Sequence, residues 1–247
     1  MRRLNLARRP ARWSKLYTGM DLFCGTGSMR RVMSRKMKRV FSVDIKETRR
    51  GSNAQHFYCG DVCSPEFAGV LRTLKPNFLW ASLPCEYFSH AWTVGEVAQN
   101  GRVVLRSVLR LIKYYARTVR PFVCVLENPR DRLREELNGM LHGFVIKEAS
   151  HCMYSATLKC RKNVDLYVLA RHAEYFSFKK CCGENCPHAY FNETTGRYNH
   201  PQSAQAGRQS DGTPGVARYD DRIALPPSLC GSVVYQARKA LEAERRL

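Results

Sequence analysis

Residues 16–23 form a short apolar run that carries Asp21 near its end. The chain then turns through Cys24-Gly25-Thr26-Gly27-Ser28 into a basic, helix-like stretch over 29–37. Strand, Gly-x-Gly turn and helix in that order constrain the fold tightly. They are the opening of a nucleotide-type α/β domain, in which glycines let the backbone approach a ligand at a helix N-terminus. The pattern repeats. A second strand-like run, 40–43, stops at Asp44, and a third, 56–59, runs through Gly60 into Asp61. Aspartate often ends an element simply as a turn-former. Three aspartates closing three successive strands are better explained as the rim of one cofactor pocket, and an acid after the second strand is placed to hold ribose hydroxyls.

After a helix over 65–74, the run Phe78-Leu79-Trp80-Ala81 has the continuous apolar character of a buried strand, and Pro84 stops it. Cys85 follows at once, then Glu86, Tyr87, Phe88 and Ser89. A fifth strand, 122–126, delivers Glu127-Asn128-Pro129. In open α/β sheets ligands bind beyond the carboxyl ends of the strands. Neighbouring fourth and fifth strands would therefore offer one small substrate a thiol and a carboxylate. Further strand-like runs lie at 143–147 and 164–170, and a final helix at 228–245 follows Pro227. The chain has no internal repeats and no run long enough to span a membrane.

Forty-one Lys and Arg against twenty-one Asp and Glu give a net charge of +20, the footprint of a polyanion binder, nucleic acid above all. The first twenty residues hold six basic side chains and no acid. They read as a basic arm (1–16) on nucleic acid in preference to an organelle transit peptide. The helix expected over 102–120 sets Arg102, Arg106, Arg110, Lys113, Arg117 and Arg120 on one face, with no acid in the sequence from Val97 to Leu126. That face is either a solvated helix surface or a phosphate-binding one. Eleven cysteines, unevenly spaced and with no secretory signal, imply free thiols in a reducing compartment, cytoplasmic or nucleoid/nuclear.

From 171 to 221 Gly, Asn, Gln, Ser and Pro accumulate and periodicity fades, as in a loop-rich insert between a core (17–170) and a C-terminal helical segment (222–247). The insert carries Cys181, Cys182, Cys186 and His188, soft ligands suited to zinc. Structural sites usually draw on two separated pairs, so Cys160, Cys230, His172 or His200 would have to complete this one.

Taken together, Asp21-Leu-Phe-Cys-Gly-Thr-Gly-Ser28, Pro84-Cys85-Glu-Tyr-Phe-Ser89 and Glu127-Asn128-Pro129 resemble the cofactor, nucleophile and glutamate motifs of cytosine-5 DNA methyltransferases, in the family's order. The ending, with Arg161-Lys162-Asn-Val-Asp165 and Arg222-Ile-Ala-Leu-Pro226, looks like a compact phage- and virus-borne branch. The resemblance runs from residue 17 to about 240. It departs from the family at Leu83, where a proline is usual, and at Glu86, where an amide is usual. A carboxylate beside Cys85 opposes thiolate formation.

The resemblance implies a class I S-adenosylmethionine-dependent methyltransferase fold: Rossmann-like α/β, a mostly parallel seven-stranded sheet and a small target-recognition insert. It implies Cys85 as the nucleophile on C6 of cytosine, Glu127 as the group holding and protonating the base edge, and Arg161 or Lys162 as a positioning cation. It assigns S-adenosylmethionine to Asp21, Phe23, Gly25, Gly27, Asp44, Asp61 and Pro84. It assigns double-stranded DNA with a flipped-out base to Tyr87, Ser89, Trp92 and Arg222, and the basic helix face offers Arg106 and Arg110 to the same nucleic acid; no membrane and no obligate protein partner are expected. The alternatives are an RNA cytosine-5 methyltransferase and a catalytically inactive nucleic-acid-binding protein on the same fold.

Overall fold

The structure is a computed structural model that describes residues 16–47, 56–88, 95–137, 140, 142–155, 162–200 and 225–247. One seven-stranded sheet organises it: β1 (Thr18–Leu22), β2 (Arg39–Asp44), β3 (Phe57–Cys59), β4 (Phe78–Ser82), β5 (Val123–Pro129), β6 (Val145–Ser150) and β7 (Asn163–Leu169). Their order across the sheet is 3-2-1-4-5-7-6. Strands β1 to β5 run parallel, and β7 is antiparallel to both β5 and β6. Sequence order reverses at β1, between β2 and β4, and ligands of such sheets gather at this switch point.

Alternation along the strands feeds two cores. Phe78, Trp80, Val123 and Val125 face one side, and Leu79, Ala81, Cys124 and Leu126 the other. Both faces are covered by helices, so the central strands are apolar throughout. Helix α1 (Ser28–Lys36) inserts Met29 and Met33 on the first side, where the C-terminal helix α5 (Pro227–Arg245) adds Leu229, Val233, Ala237 and Leu241. Helices α2 (Pro65–Leu74), α3 (Glu96–Thr118) and α4 (Leu133–Leu137) cover the second. The start of α2 follows from local chemistry alone. Ser64 Oγ accepts the Phe67 amide at 3.3 Å, Pro65 takes the first turn and Glu66 stands by the positive helix end.

Helix α3 begins at Glu96, earlier than the expected start at Arg102. Glu96 to Gly101 lacks an apolar stripe, and tertiary contact compensates: a Cβ on Gly101 would lie 2.7 Å from Cβ of Tyr87, so the helix and the turn after β4 touch only because this residue is glycine. The basic face of α3 is exposed. The missing acid is supplied from another element, because Arg102 pairs with Glu136 of α4 at 2.9 Å.

The segment after β7 holds a short hairpin, β8 (Tyr190–Asn192) and β9 (Arg197–Asn199). Among the described residues from 171 to 200, Phe176 and Cys186 are the only buried apolar ones, and Phe176 belongs to the main core. Polar contacts tie this segment down. Ser150 N donates to Lys179 O at 3.1 Å, Ser177 N to Gln236 Oε1 at 2.6 Å, and Lys180 pairs with Glu148 at 2.6 Å. No helix among the described residues is long and apolar enough to cross a membrane.

Candidate active site

A cleft of about 380 Å³ opens at the carboxyl ends of β1, β2, β4 and β5. Its lining includes Asp21 of β1 with Phe23 and Gly25 just after it, Asp44 at the end of β2, Asp61 after β3, Pro84, Cys85 and Tyr87 after β4, Glu127 of β5 and Lys162 before β7. One concavity thus gathers side chains far apart in the chain.

The β1–α1 turn is shaped by unusual backbone. Phe23, Gly25 and Gly27 have φ of 61°, 45° and 71°. Phe23 is the informative one, because a β-carbon is strained there, at a cost of order 1 kcal/mol, and such strain gathers at functional sites. Gly27 does not line the cleft; it is the N-cap of α1 and adds no side-chain cap there. The acids of the rim are anchored by amides. Asp44 Oδ2 accepts from Gly25 N at 2.8 Å, Asp21 Oδ2 from Arg30 N at 2.9 Å and Asp61 Oδ1 from Cys63 N at 2.8 Å. Burial pushes the Asp21 carboxyl up to about 7. Beside it the Cys24 thiol rises to about 12, through burial and then the charges of Asp21 and Asp44.

Strands β4 and β5 pair in parallel with Ser82 opposite Glu127, and this register sets the chemistry. Ser82 Oγ donates to Glu127 Oε2, Asn128 Nδ2 donates to Leu83 O at 2.9 Å, and Leu83 N donates to Glu127 O at 3.2 Å. The chain then enters a 3-10 turn, Cys85–Phe88, whose first residue is the exposed Cys85. Burial raises the pKa of Glu127, against the opposing effects of Lys162 and the Ser82 hydroxyl. Its Oε1 is buried and accepts no hydrogen bond among the described residues. Partial desolvation at the cleft wall also raises the Cys85 thiol; Lys162 pulls it down, while Glu86 and Glu127 push it further up. Lys162 therefore acts on both the thiol and the carboxyl.

The sequence gives no sign of the role of Ser82, and it shows Asn128 only as a member of the Glu127-Asn128-Pro129 motif. Ser82 is a small polar residue ending an apolar strand, and only the register shows its partner. Phe88, the neighbour of Tyr87 in this turn, is 1% exposed and part of the core. Ser89, Trp92, Arg161 and Arg222 lie outside the described residues. Arg106 and Arg110 are on the exposed face of α3.

The expected metal cluster is corrected. The ligand atoms that converge belong to Cys152, Cys181, Cys186 and His200, all within 4.8 Å of one another. Cys182 is exposed and His188 lies outside the group. Cys182 is the N-cap of a 3-10 turn, Gly183–Asn185, and its exposed side chain does not join Cys181 in the group.

The sheet order, the antiparallel β7 and a cleft at the carboxyl ends of the parallel strands define a Rossmann-like, doubly wound α/β fold. No family model matches the sequence. The chain is 28% identical over 227 residues to a "Probable DNA (cytosine-5)-methyltransferase" of Frog virus 3 (isolate Goorha), covering 85% of this chain and 95% of that protein. Solved structures similar to it include S. pombe Dnmt2 methyltransferase, at 12% identity and TM-score 0.43 over 62% of this chain and 48% of that one. Entamoeba histolytica methyltransferase EhMeth gives 16% and 0.46 over 63% and 53%. Spodoptera frugiperda DNMT2 gives 14% and 0.46 over 72% and 59%. The chain thus spans about half the length of these three structures. The motif resemblance to cytosine-5 DNA methyltransferases is thus accompanied by similarity to a viral protein of that name.

Proposed function

We propose that the chain is a DNA (cytosine-5-)-methyltransferase working through a covalent adduct at Cys85. The observation that carries this reading is the delivery of Cys85 and Glu127 by adjacent parallel strands into one cleft with the Gly-x-Gly turn and three rim acids.

That turn, strained at Phe23 and open at Gly25, and the carboxylates of Asp44 and Asp61 suit an adenosine with free hydroxyls and an exocyclic amine. In this reading Asp44 holds the ribose, Asp61 the adenine amino group, and Phe23 and Gly25 the methionine end, with Gly27 shaping the turn behind them and Asp21 and Pro84 completing the walls. S-adenosylmethionine, when bound, supplies the electrophilic methyl group that C5 of the base accepts.

The residues do the rest. The Cys85 thiolate adds to C6 of cytosine, and the electron pair moves into the ring. Protonated Glu127 donates to N3 as that charge forms, and its unpaired Oε1 is available to the base amino group. The raised pKa of Glu127 supports this role, since a neutral acid is required. Lys162 positions the base or its phosphate and favours the thiolate; Arg161 shares this role. Once C5 is methylated its proton leaves, the C6–S bond breaks and Cys85 is expelled. A stacked base presents neither face to Cys85, so the target must be flipped out of the duplex. Tyr87, Ser89 and Trp92 are assigned to the gap, Arg106, Arg110 and Arg222 to phosphates, and 171–221 to target recognition. The net charge of +20 supplies sequence-independent affinity. The action is placed in the cytoplasm or nucleoid/nucleus of a host, as for a virus-borne enzyme, with no obligate protein partner.

DNA containing 5-fluorocytosine, incubated with S-adenosylmethionine, tests this. Fluorine does not leave C5 as a proton does, so a covalent complex should run as a shifted band on a denaturing gel and vanish in Cys85→Ser. A band with RNA alone would move the substrate to RNA. No band with genomic DNA of mixed sequence, alongside retained DNA binding, would favour a binding protein, the outcome that Glu86 beside Cys85 makes worth testing.

A further inference from the structure

The geometry points to a structural zinc site made by Cys152, Cys181, Cys186 and His200, which clamps the loop-rich insert to the β6–β7 connection. Cys152 lies in a 3-10 turn (His151–Met153) directly after β6; the other three come from the segment after β7. Three independent devices bring them together. The Cys181 amide donates to Ser150 Oγ at 2.9 Å, which pins Cys181 to the end of β6. Cys186 closes a 3-10 turn through its amide to Gly183 O at 3.1 Å. His200 follows β9, whose hairpin returns the chain to the cysteines.

The donor set and its dimensions fit the metal. In a tetrahedral Cys3His site with Zn–S near 2.3 Å and Zn–N near 2.05 Å, sulfur and nitrogen are about 3.5 Å apart and sulfurs about 3.8 Å apart. Cys181 Sγ lies 3.5 Å from His200 Nε2, and all four donor atoms fall within 4.8 Å. Cys152, Cys186 and His200 are buried. Three thiols round one imidazole leave an odd sulfur after any disulfide, whereas one divalent ion uses all four groups. Binding releases the three thiol protons to water, so the site has three thiolates and a neutral imidazole.

The fold gives the ion a task. The insert has no apolar core of its own among its described residues, and segments too small to bury a core are commonly held by metals or disulfides. The clamp also joins the insert to the turn whose His151 amide donates to Lys162 O at 2.9 Å, one strand end from the cleft. It does not depend on Cys85 being a nucleophile.

Elemental analysis of the purified full chain, with cobalt substitution, tests the site. About one zinc per chain is expected, and a cobalt form with thiolate charge-transfer bands and the intense visible bands of tetrahedral coordination. Cys152→Ser, Cys186→Ser and His200→Ala should bind cobalt at least 100-fold more weakly, while Cys182→Ser and His188→Ala should bind it as the parent does. Should the weakened variants fail to fold, His200→Cys keeps a four-ligand site and should retain the metal with shifted cobalt bands. A chain that takes up neither zinc nor cobalt stoichiometrically overturns the assignment. So does a mass two hydrogens light with a disulfide among the three cysteines, or metal lost through Cys182→Ser but not Cys152→Ser. The 5-fluorocytosine trap reads Cys85 separately, so either proposal can fail alone.

Discussion

Ser82 Oγ donates a hydrogen bond to Glu127 Oε2 across the β4–β5 pair, and the other oxygen of that buried carboxyl accepts none among the described residues. The hydroxyl lowers a pKa that burial raises, so Ser82 helps set how much of Glu127 is protonated at neutral pH. Glu127→Gln should cut kcat by about 10²-fold or more, the usual worth of a positioned acid, with cofactor affinity unchanged. Ser82→Ala should instead shift the pH profile, moving loss of the protonated acid to higher pH. Single-turnover methylation across pH distinguishes the two.

Glu86 holds the Cys85 thiol up, and Lys162 pulls it down. Glu86→Gln should therefore move thiolate formation to lower pH and speed adduct formation near neutrality. Lys162→Met should move it to higher pH. Iodoacetamide alkylation of Cys85 followed against pH reads both directions without any substrate. Unchanged profiles in both variants would show that neither charge reaches the thiol.

Asp21 ionises at about 7 when folded and near 3.8 when unfolded. Below both values the carboxyl is protonated in either state. Between them the unfolded chain releases a proton that the fold retains, so stability should fall as pH rises from about 4 to 7 and then level off. Asp21→Asn should flatten that slope while keeping an acceptor for the Arg30 amide, which lies at 2.9 Å. Urea denaturation at stepped pH measures it.

Gly101 leaves room for Tyr87, and a β-carbon there would sit 2.7 Å from Cβ of that residue. Gly101→Ala should cost about 1–3 kcal/mol through overpacking. Because Tyr87 lies in the Cys85 turn, the trapping rate should also fall. Thermal unfolding together with the 5-fluorocytosine trap gives both readings.

Arg106 and Arg110 remain a solvated face or a phosphate contact. If they meet phosphates, Arg106→Ser and Arg110→Ser should each reduce the slope of log K against log salt by about 0.9, equally on all sequences. An unchanged slope would assign them to the solvated surface.

What the sequence alone determined was local. Apolar runs closed by Asp21, Asp44 and Asp61, and Ser64-Pro65-Glu66 opening a helix at Pro65, are decided within a few residues by burial pattern and capping. They carry the doubly wound core and the positions of Cys85 and Glu127 at strand ends. Tertiary structure alone decided the pairings. Helix α3 begins at Glu96 because Gly101 can lie against Tyr87; Arg102 finds its acid in Glu136; and Ser82 meets Glu127 through strand register. The metal group shows the reason most directly. Cys182 and His188 are near Cys181 in the chain, yet Cys152 and His200 are near it in space. Proximity along an irregular segment says little about direction, and only the folded path of β6, β7 and the hairpin aims four donor atoms at one point.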